Sequence, residues 1–134
     1  MNKLFALTAA ALLATSAAAS AGDAAAGEKD FRKCKACHTI ASADETIIKG
    51  GKTGPNLYGV IGRTAGTVED FRYGDSIVAA GEAGLVWTEE NLTEYVADPK
   101  KFLSDYLGES AKSKMTFKLK KGENIATYLA SVAE

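Results

Sequence analysis

The chain has 134 residues, 46% hydrophobic and 25% charged, with 16 lysines and arginines against 17 acids and a formal net charge of −1. That length makes one domain, and the near-neutral balance excludes a generic binder of polyanions. Arginines are few and no basic and aromatic residues interleave, so nucleic acid is excluded as a partner.

Residues 1–21 read as a cleaved secretory signal. Lys3 supplies a basic start, Leu4 to Ala14 an apolar run, and Ala19-Ser20-Ala21 a small-residue cleavage site. The run is too short and too alanine-rich to span a membrane. Cleavage after Ala21 leaves one domain over 22–134, with 15 lysines and arginines against 17 acids once Lys3 is gone. It also predicts export to a bacterial periplasm, an oxidising compartment.

Asp23 to Ala36 is rich in Ala, Glu and Lys and predicts a first helix. It leads into Cys34-Lys35-Ala36-Cys37-His38, which contains both cysteines and the single histidine of the chain. Cys-x-x-Cys-His is the attachment signature of a c-type haem. On a helical turn, positions i, i+3 and i+4 share a face. Cys34 and Cys37 then reach the two vinyl groups of one porphyrin, and His38 sets an imidazole under the iron. A structural zinc site wants four nitrogen or sulfur ligands, and this chain has three. A thioredoxin-like pair would follow a strand, whereas the residues ahead of Cys34 look helical. A plain disulfide leaves His38 unexplained.

Two long glycine-bearing loops follow, Ile40 to Tyr73 and Gly108 to Gly122, and strand-like alternation is absent. Loops of that length need something to organise them, and a haem enclosed by them does so. Thr88-Glu89-Glu90 offers a hydroxyl cap and two acids to the positive end of a helix dipole. Leu92, Tyr95 and Val96 then form an apolar stripe, and Asp98-Pro99 ends that helix. The same pair opens the next one, with proline at its first position, running towards Leu107. The last helix carries Ile125, Tyr128, Leu129 and Val132 on one face.

Met115 is the only methionine of the chain beyond Met1. It sits among lysines in Lys112-Ser113-Lys114-Met115, not in a periodic apolar stripe, so its reading as core filler gives way to a sixth ligand for the iron. Thioether ligation favours ferrous iron, raises the potential and closes the coordination sphere. That suits outer-sphere electron transfer and not the binding of oxygen or peroxide.

These motifs stand in a recognisable order: Gly27 ahead of Phe31, Cys34 to His38, Lys52-Thr53-Gly54-Pro55-Asn56-Leu57, Phe71-Arg72-Tyr73, Trp87, Tyr95, Asp98-Pro99-Lys100-Lys101, Met115-Thr116-Phe117, and Tyr128-Leu129. In that order the sequence resembles the small class I c-type cytochromes, and most closely the bacterial cytochrome c2 group. The departures are extra residues at 41–46 and a longer 103–111 stretch. The resemblance implies an all-α fold of short helices and long loops wrapped around one covalently bound haem c. It implies that the Pro55 carbonyl accepts the free N–H of His38. It also implies that Arg63, Tyr73 and Trp87 hold the haem propionates and that Tyr95 aims its hydroxyl at the Met115 sulfur. For each aromatic the plainer alternative is core packing. Gly27, Phe31 and Tyr128 look like the contact between the first and last helices.

Lys33, Lys35, Lys49, Lys52, Lys112, Lys114, Lys118, Lys120 and Lys121 flank the segments expected around the haem edge. A lysine ring there would orient the protein onto acidic redox partners in fast, salt-sensitive contacts. The resemblance implies a monomeric one-electron carrier, not an enzyme. Its donor would be a cytochrome bc complex, and its acceptor a photosynthetic reaction centre or a cytochrome oxidase. A haem peroxidase would need an open sixth position and a distal acid or base, and a thiol oxidoreductase would need no haem.

Overall fold

The computed structural model describes residues 22–134; the expected signal at 1–21 lies outside the described residues. The first helix, α1, spans Ala24–Asp30. It starts where Asp23 turns extended and its Oδ1 accepts from the N–H groups of Ala25 (2.9 Å) and Ala26 (3.2 Å), satisfying two donors that a helix start leaves open. The helix stops short of the expected Ala36. It tightens into a single 3-10 turn over Phe31–Lys33, because Phe31 is drawn fully into the core (0% exposed). The Phe31 carbonyl then accepts from both Cys34 (2.7 Å) and Lys35 (3.1 Å).

α1 crosses the last helix, α5 (Glu123–Val132), at Gly27. A Cβ there would stand 2.7 Å from the Tyr128 Cβ and closer still to the Asn124 carbonyl, so only glycine permits this approach. Phe31 and Tyr128 meet just beyond it with ring centroids 6.2 Å apart. The expected contact between first and last helices is therefore present. Burying Phe31 alone contributes on the order of 2–3 kcal/mol.

Two short strands, β1 (Ile40–Ala41) and β2 (Thr46–Ile48), pair antiparallel with Ile40 opposite Ile48. The sequence shows no alternation here because the strands are too short to display any. They are joined by a tight turn in which Ser42 Oγ accepts from Glu45 N at 3.1 Å. The extra residues at 41–46 are thus the tip of a hairpin. A second unforeseen element is α2 (Asp75–Glu82). It begins at Gly74, which has no side chain to cap with, and contains Ile77, Val78 and Gly81, all poor helix formers; its packing against α4 supplies what propensity does not.

α3 (Glu89–Ala97) and α4 (Pro99–Leu107) follow the sequence closely. Thr88 Oγ1 accepts from Asn91 N (3.1 Å) while Asn91 Oδ1 accepts from Thr88 N (2.8 Å), a reciprocal cap. Asp98 closes α3 and caps α4 through Lys101 N (3.1 Å), with Pro99 at the first helical position. The longer 103–111 stretch resolves into the last turns of α4 and a return through Gly108. Ala111 N donates to Ser104 Oγ (3.0 Å), and Lys112 N to Ser76 Oγ (3.0 Å). The segment that carries Met115 is thereby tied to α4 and α2, and Leu119 N adds a bond to the Val96 carbonyl of α3 (2.7 Å).

Candidate functional site

The helices and loops enclose a cavity of about 380 Å³, and Cys34, Cys37, His38, Pro55, Arg63, Tyr73, Trp87, Tyr95 and Met115 all line it. The structure therefore gathers all nine residues singled out in the sequence, from segments up to 81 positions apart, around one space.

Its first wall is the turn after the 3-10 segment. The Cys34 carbonyl accepts from Cys37 N (3.1 Å) and His38 N (3.0 Å), so the three motif residues are displayed from one turn, without the longer helix the sequence suggested. Neither cysteine is in a disulfide. Burial pushes the Cys34 thiol, free of the haem, up to about 11, with Lys33 partly opposing it. Among the described residues there is no cluster of three or more His, Cys, Asp or Glu that could hold a metal ion.

The loop from Gly50 to Leu57 grips this turn. Gly51 N donates to Lys35 O (2.9 Å), Gly54 N to Cys37 O (2.8 Å) and Leu57 N to Thr39 O (3.0 Å). The gripping loop puts the Pro55 carbonyl 2.8 Å from His38 Nδ1. With Nδ1–H donating there, Nε2 keeps its lone pair for the cavity. Burial is the main cause that holds His38 below the usual histidine range; the Pro55 carbonyl opposes it and Arg63 adds to it. The imidazole is thus neutral and fixed in one tautomer. Gly54 was quoted in the sequence only as part of a motif, yet it fits flat against the ring. A Cβ there would lie 2.6 Å from Nδ1 and 2.7 Å from Nε2. Its one sequence signal was its position next to Pro55.

Arg63 Nη1 donates to the carbonyls of Asn56 (3.1 Å) and Tyr58 (3.3 Å). Burial lowers its pKa and the Tyr73 phenol raises it, and neither ion pair among the described residues involves it. A half-buried guanidinium bordering an apolar cavity, with donors to spare, fits a group that brings its own carboxylates. Tyr73 Oη accepts from Val68 N (3.1 Å). Trp87 is buried, with its ring 4.9 Å from that of Tyr95. Burial raises the Tyr95 pKa, with the nearby Ser113 side chain partly opposing it. Ser113 Oγ in turn donates to the Met115 carbonyl (2.8 Å). Ser113 thereby ties the backbone of the Met115 segment.

Of the nine expected lysines, Lys33, Lys112 and Lys114 line the cavity. Lys114 Nζ donates to the Arg72 carbonyl (3.1 Å), and Lys118 pairs with Asp98 (3.2 Å). Both are therefore tethered on the surface.

An apolar cavity framed by a Cys-x-x-Cys-His turn, a carbonyl-oriented imidazole and a lone methionine, in loops braced by short helices, defines a class I c-type cytochrome. Relatives say the same. Cytochrome c-551 of Roseobacter denitrificans is 66% identical over 115 residues, covering 84% of this chain and 82% of that protein. Cytochrome c2 of Rhodobacter capsulatus is 58% identical over 127 residues, 92% of this chain and 93% of that one. The solved cytochrome c2 structure from Rhodobacter capsulatus superposes with a TM-score of 0.82 at 59% identity, covering 84% of this chain and all of that one. Ferric cytochrome c-550 of Paracoccus versutus gives 0.81 at 52% identity, covering 84% and 99%. No protein-family model matches the chain. The chain belongs to the cytochrome c2 family. It carries one covalently bound haem c and is an electron carrier, not an enzyme.

Proposed function

We propose that this chain is a soluble, monomeric periplasmic one-electron shuttle that takes electrons from a cytochrome bc complex and delivers them to a photosynthetic reaction centre, a cytochrome oxidase, or both. The single observation that carries this is the convergence of Cys34, Cys37, His38 and Met115 on one apolar cavity. In this reading Cys34 and Cys37 hold the haem by thioethers, and His38 Nε2 and the Met115 sulfur ligate the iron. The haem supplies a metal centre that cycles between ferric and ferrous. The chain's part is to hold both ligands rigidly, so that little rearranges when the charge changes. Pro55 fixes the His38 tautomer, Gly54 seats its ring, Ser113 ties the Met115 backbone, and Tyr95 directs its hydroxyl at the Met115 sulfur. Arg63, Tyr73 and Trp87 take the propionates. A closed ligand set leaves no position for substrate and restricts the protein to electron transfer.

Residues 1–21 direct export in this reading and are removed. The exposed lysines around Lys33, Lys35, Lys52 and Lys114 supply the sign that orients acidic partners. Deleting the gene and following flash-induced oxidation of the bc complex, together with respiration, tests the partners. Loss of one or both electron flows is expected; unaltered rates of both would overturn the assignment.

A further inference from the structure

Met115 stands on a stretch with few ties of its own. Among the described residues, no main-chain hydrogen bond joins 113–118 to another segment. The stretch is pinned just outside its ends instead, by Lys112 N to Ser76 Oγ (3.0 Å) and by Leu119 N to the Val96 carbonyl (2.7 Å). Within it, three residues past Met115, Lys118 Nζ reaches Asp98 Oδ2 at 3.2 Å. Asp98 Oδ1 meanwhile accepts from Lys101 N at 3.1 Å. One carboxylate thus caps α4 with one oxygen and holds the Met115 stretch with the other. Beside the stretch lies an open cleft lined by Pro99 and Ser104 of α4, by Asp98 and Lys118, and by Met115 itself. Met115 therefore borders both this cleft and the haem cavity, and the stretch has room to shift.

We propose that Asp98 and Lys118 are positioning residues whose ion pair latches the 113–118 stretch and so sets how often Met115 leaves its place in the cavity. Moving the stretch into the cleft separates Lys118 from Asp98, so the pair must break before Met115 can go. Both side chains face water, 60% exposed at Lys118 and 35% at Asp98, and water screens the attraction. Loss of such a pair therefore shifts the opening equilibrium about two- to fivefold, not by orders of magnitude. The inference rests on the ligand role proposed for Met115; the latch itself rests on Asp98, Lys118 and the neighbouring bond from Leu119 to Val96.

Imidazole, added to the ferric holoprotein at a pH where it is neutral, binds the iron only where Met115 has left. Its apparent affinity therefore scales with the open fraction. Lys118→Ala and Asp98→Asn both preserve the cap of α4, since asparagine caps as well as aspartate. Each should raise the imidazole affinity about two- to fivefold at low salt, and the double variant no further than either alone. Lys118→Arg keeps the pair and should match the parent, and at ~1 M salt the variants should converge on the parent. Lys101→Ala, which breaks the neighbouring pair with Asp105, should change nothing. Amide exchange in the ferrous protein gives the second readout. The Leu119 N–H should exchange faster in Lys118→Ala by the same factor, while the Phe102 N–H, bonded to the Asp98 carbonyl in the first turn of α4 (2.9 Å), should not. Unchanged imidazole affinity and Leu119 exchange in Lys118→Ala, or additive effects in the double variant, would overturn the latch. A parent protein without a methionine–iron charge-transfer band would overturn the ligand reading instead, and Leu119 exchange would then decide the latch alone.

Discussion

Gly54→Ala puts one methyl group where the His38 ring lies, and the structure sets the cost. The new Cβ would stand 2.6 Å from Nδ1 and 2.7 Å from Nε2. Reaching an ordinary contact of about 3.4 Å requires a separation of roughly 0.8 Å more at Nδ1, and more again at Cε1, which lies nearer still. If the ring retreats by that much, the 2.8 Å bond to the Pro55 carbonyl stretches past hydrogen-bonding range. If the loop retreats instead, the bond from Gly54 N to Cys37 O (2.8 Å) is lost. One hydrogen bond at about 1 kcal/mol and overpacking at about 1–3 kcal/mol give a destabilisation of about 2–4 kcal/mol. Guanidinium unfolding of the ferric holoprotein measures it, with the slope unchanged. Gly59→Ala is the control: nothing lies within 4 Å of its Cβ, so it bears only the strain of its φ of +72°, about 1–2 kcal/mol, and the His38 environment stays intact. A Gly54→Ala protein within about 0.5 kcal/mol of the parent would refute the claim that this glycine seats the ring.

Met115→Ala should leave the haem attached but open its sixth position; the potential falls and ferrous protein binds carbon monoxide readily, followed by absorption and redox titration. Glutamate at Lys35, Lys52 or Lys114 should lower the second-order rate with a membrane partner about tenfold at low salt and flatten its salt dependence, while the same change at Lys29 or Lys49 does less in stopped-flow. For pH, the N–H of Lys101 first and Lys118 next hold the Asp98 carboxyl below its ordinary 3.8. Its stabilising effect is therefore full above the ordinary value and lost as pH falls through the lower folded one. An acid-unfolding series should show Asp98→Asn with a weaker dependence on pH below about 4.

Where function needs chemistry at fixed spacing, the sequence was readable. Cys34, Cys37 and His38 announce themselves by pattern, and Thr88 and Asp98-Pro99 mark helix ends by local bonds that do not depend on the rest of the fold. The illegible parts are those where tertiary contact overrides local preference. α2 starts at a glycine and contains Ile77 and Val78, so its helicity comes from α4. The hairpin at 40–48 is too short for a period to appear. Within the site, the seat made by Gly54 arises from distant segments packed together, and its only local mark is the adjacent Pro55.

The central claim, that His38 and Met115 both ligate a haem held at Cys34 and Cys37, is tested most directly by the absorption spectrum of the purified ferric protein. A low-spin six-coordinate spectrum with a methionine-sulfur-to-iron charge-transfer band is predicted. A high-spin spectrum, or a low-spin one without that band at neutral pH, would contradict the account.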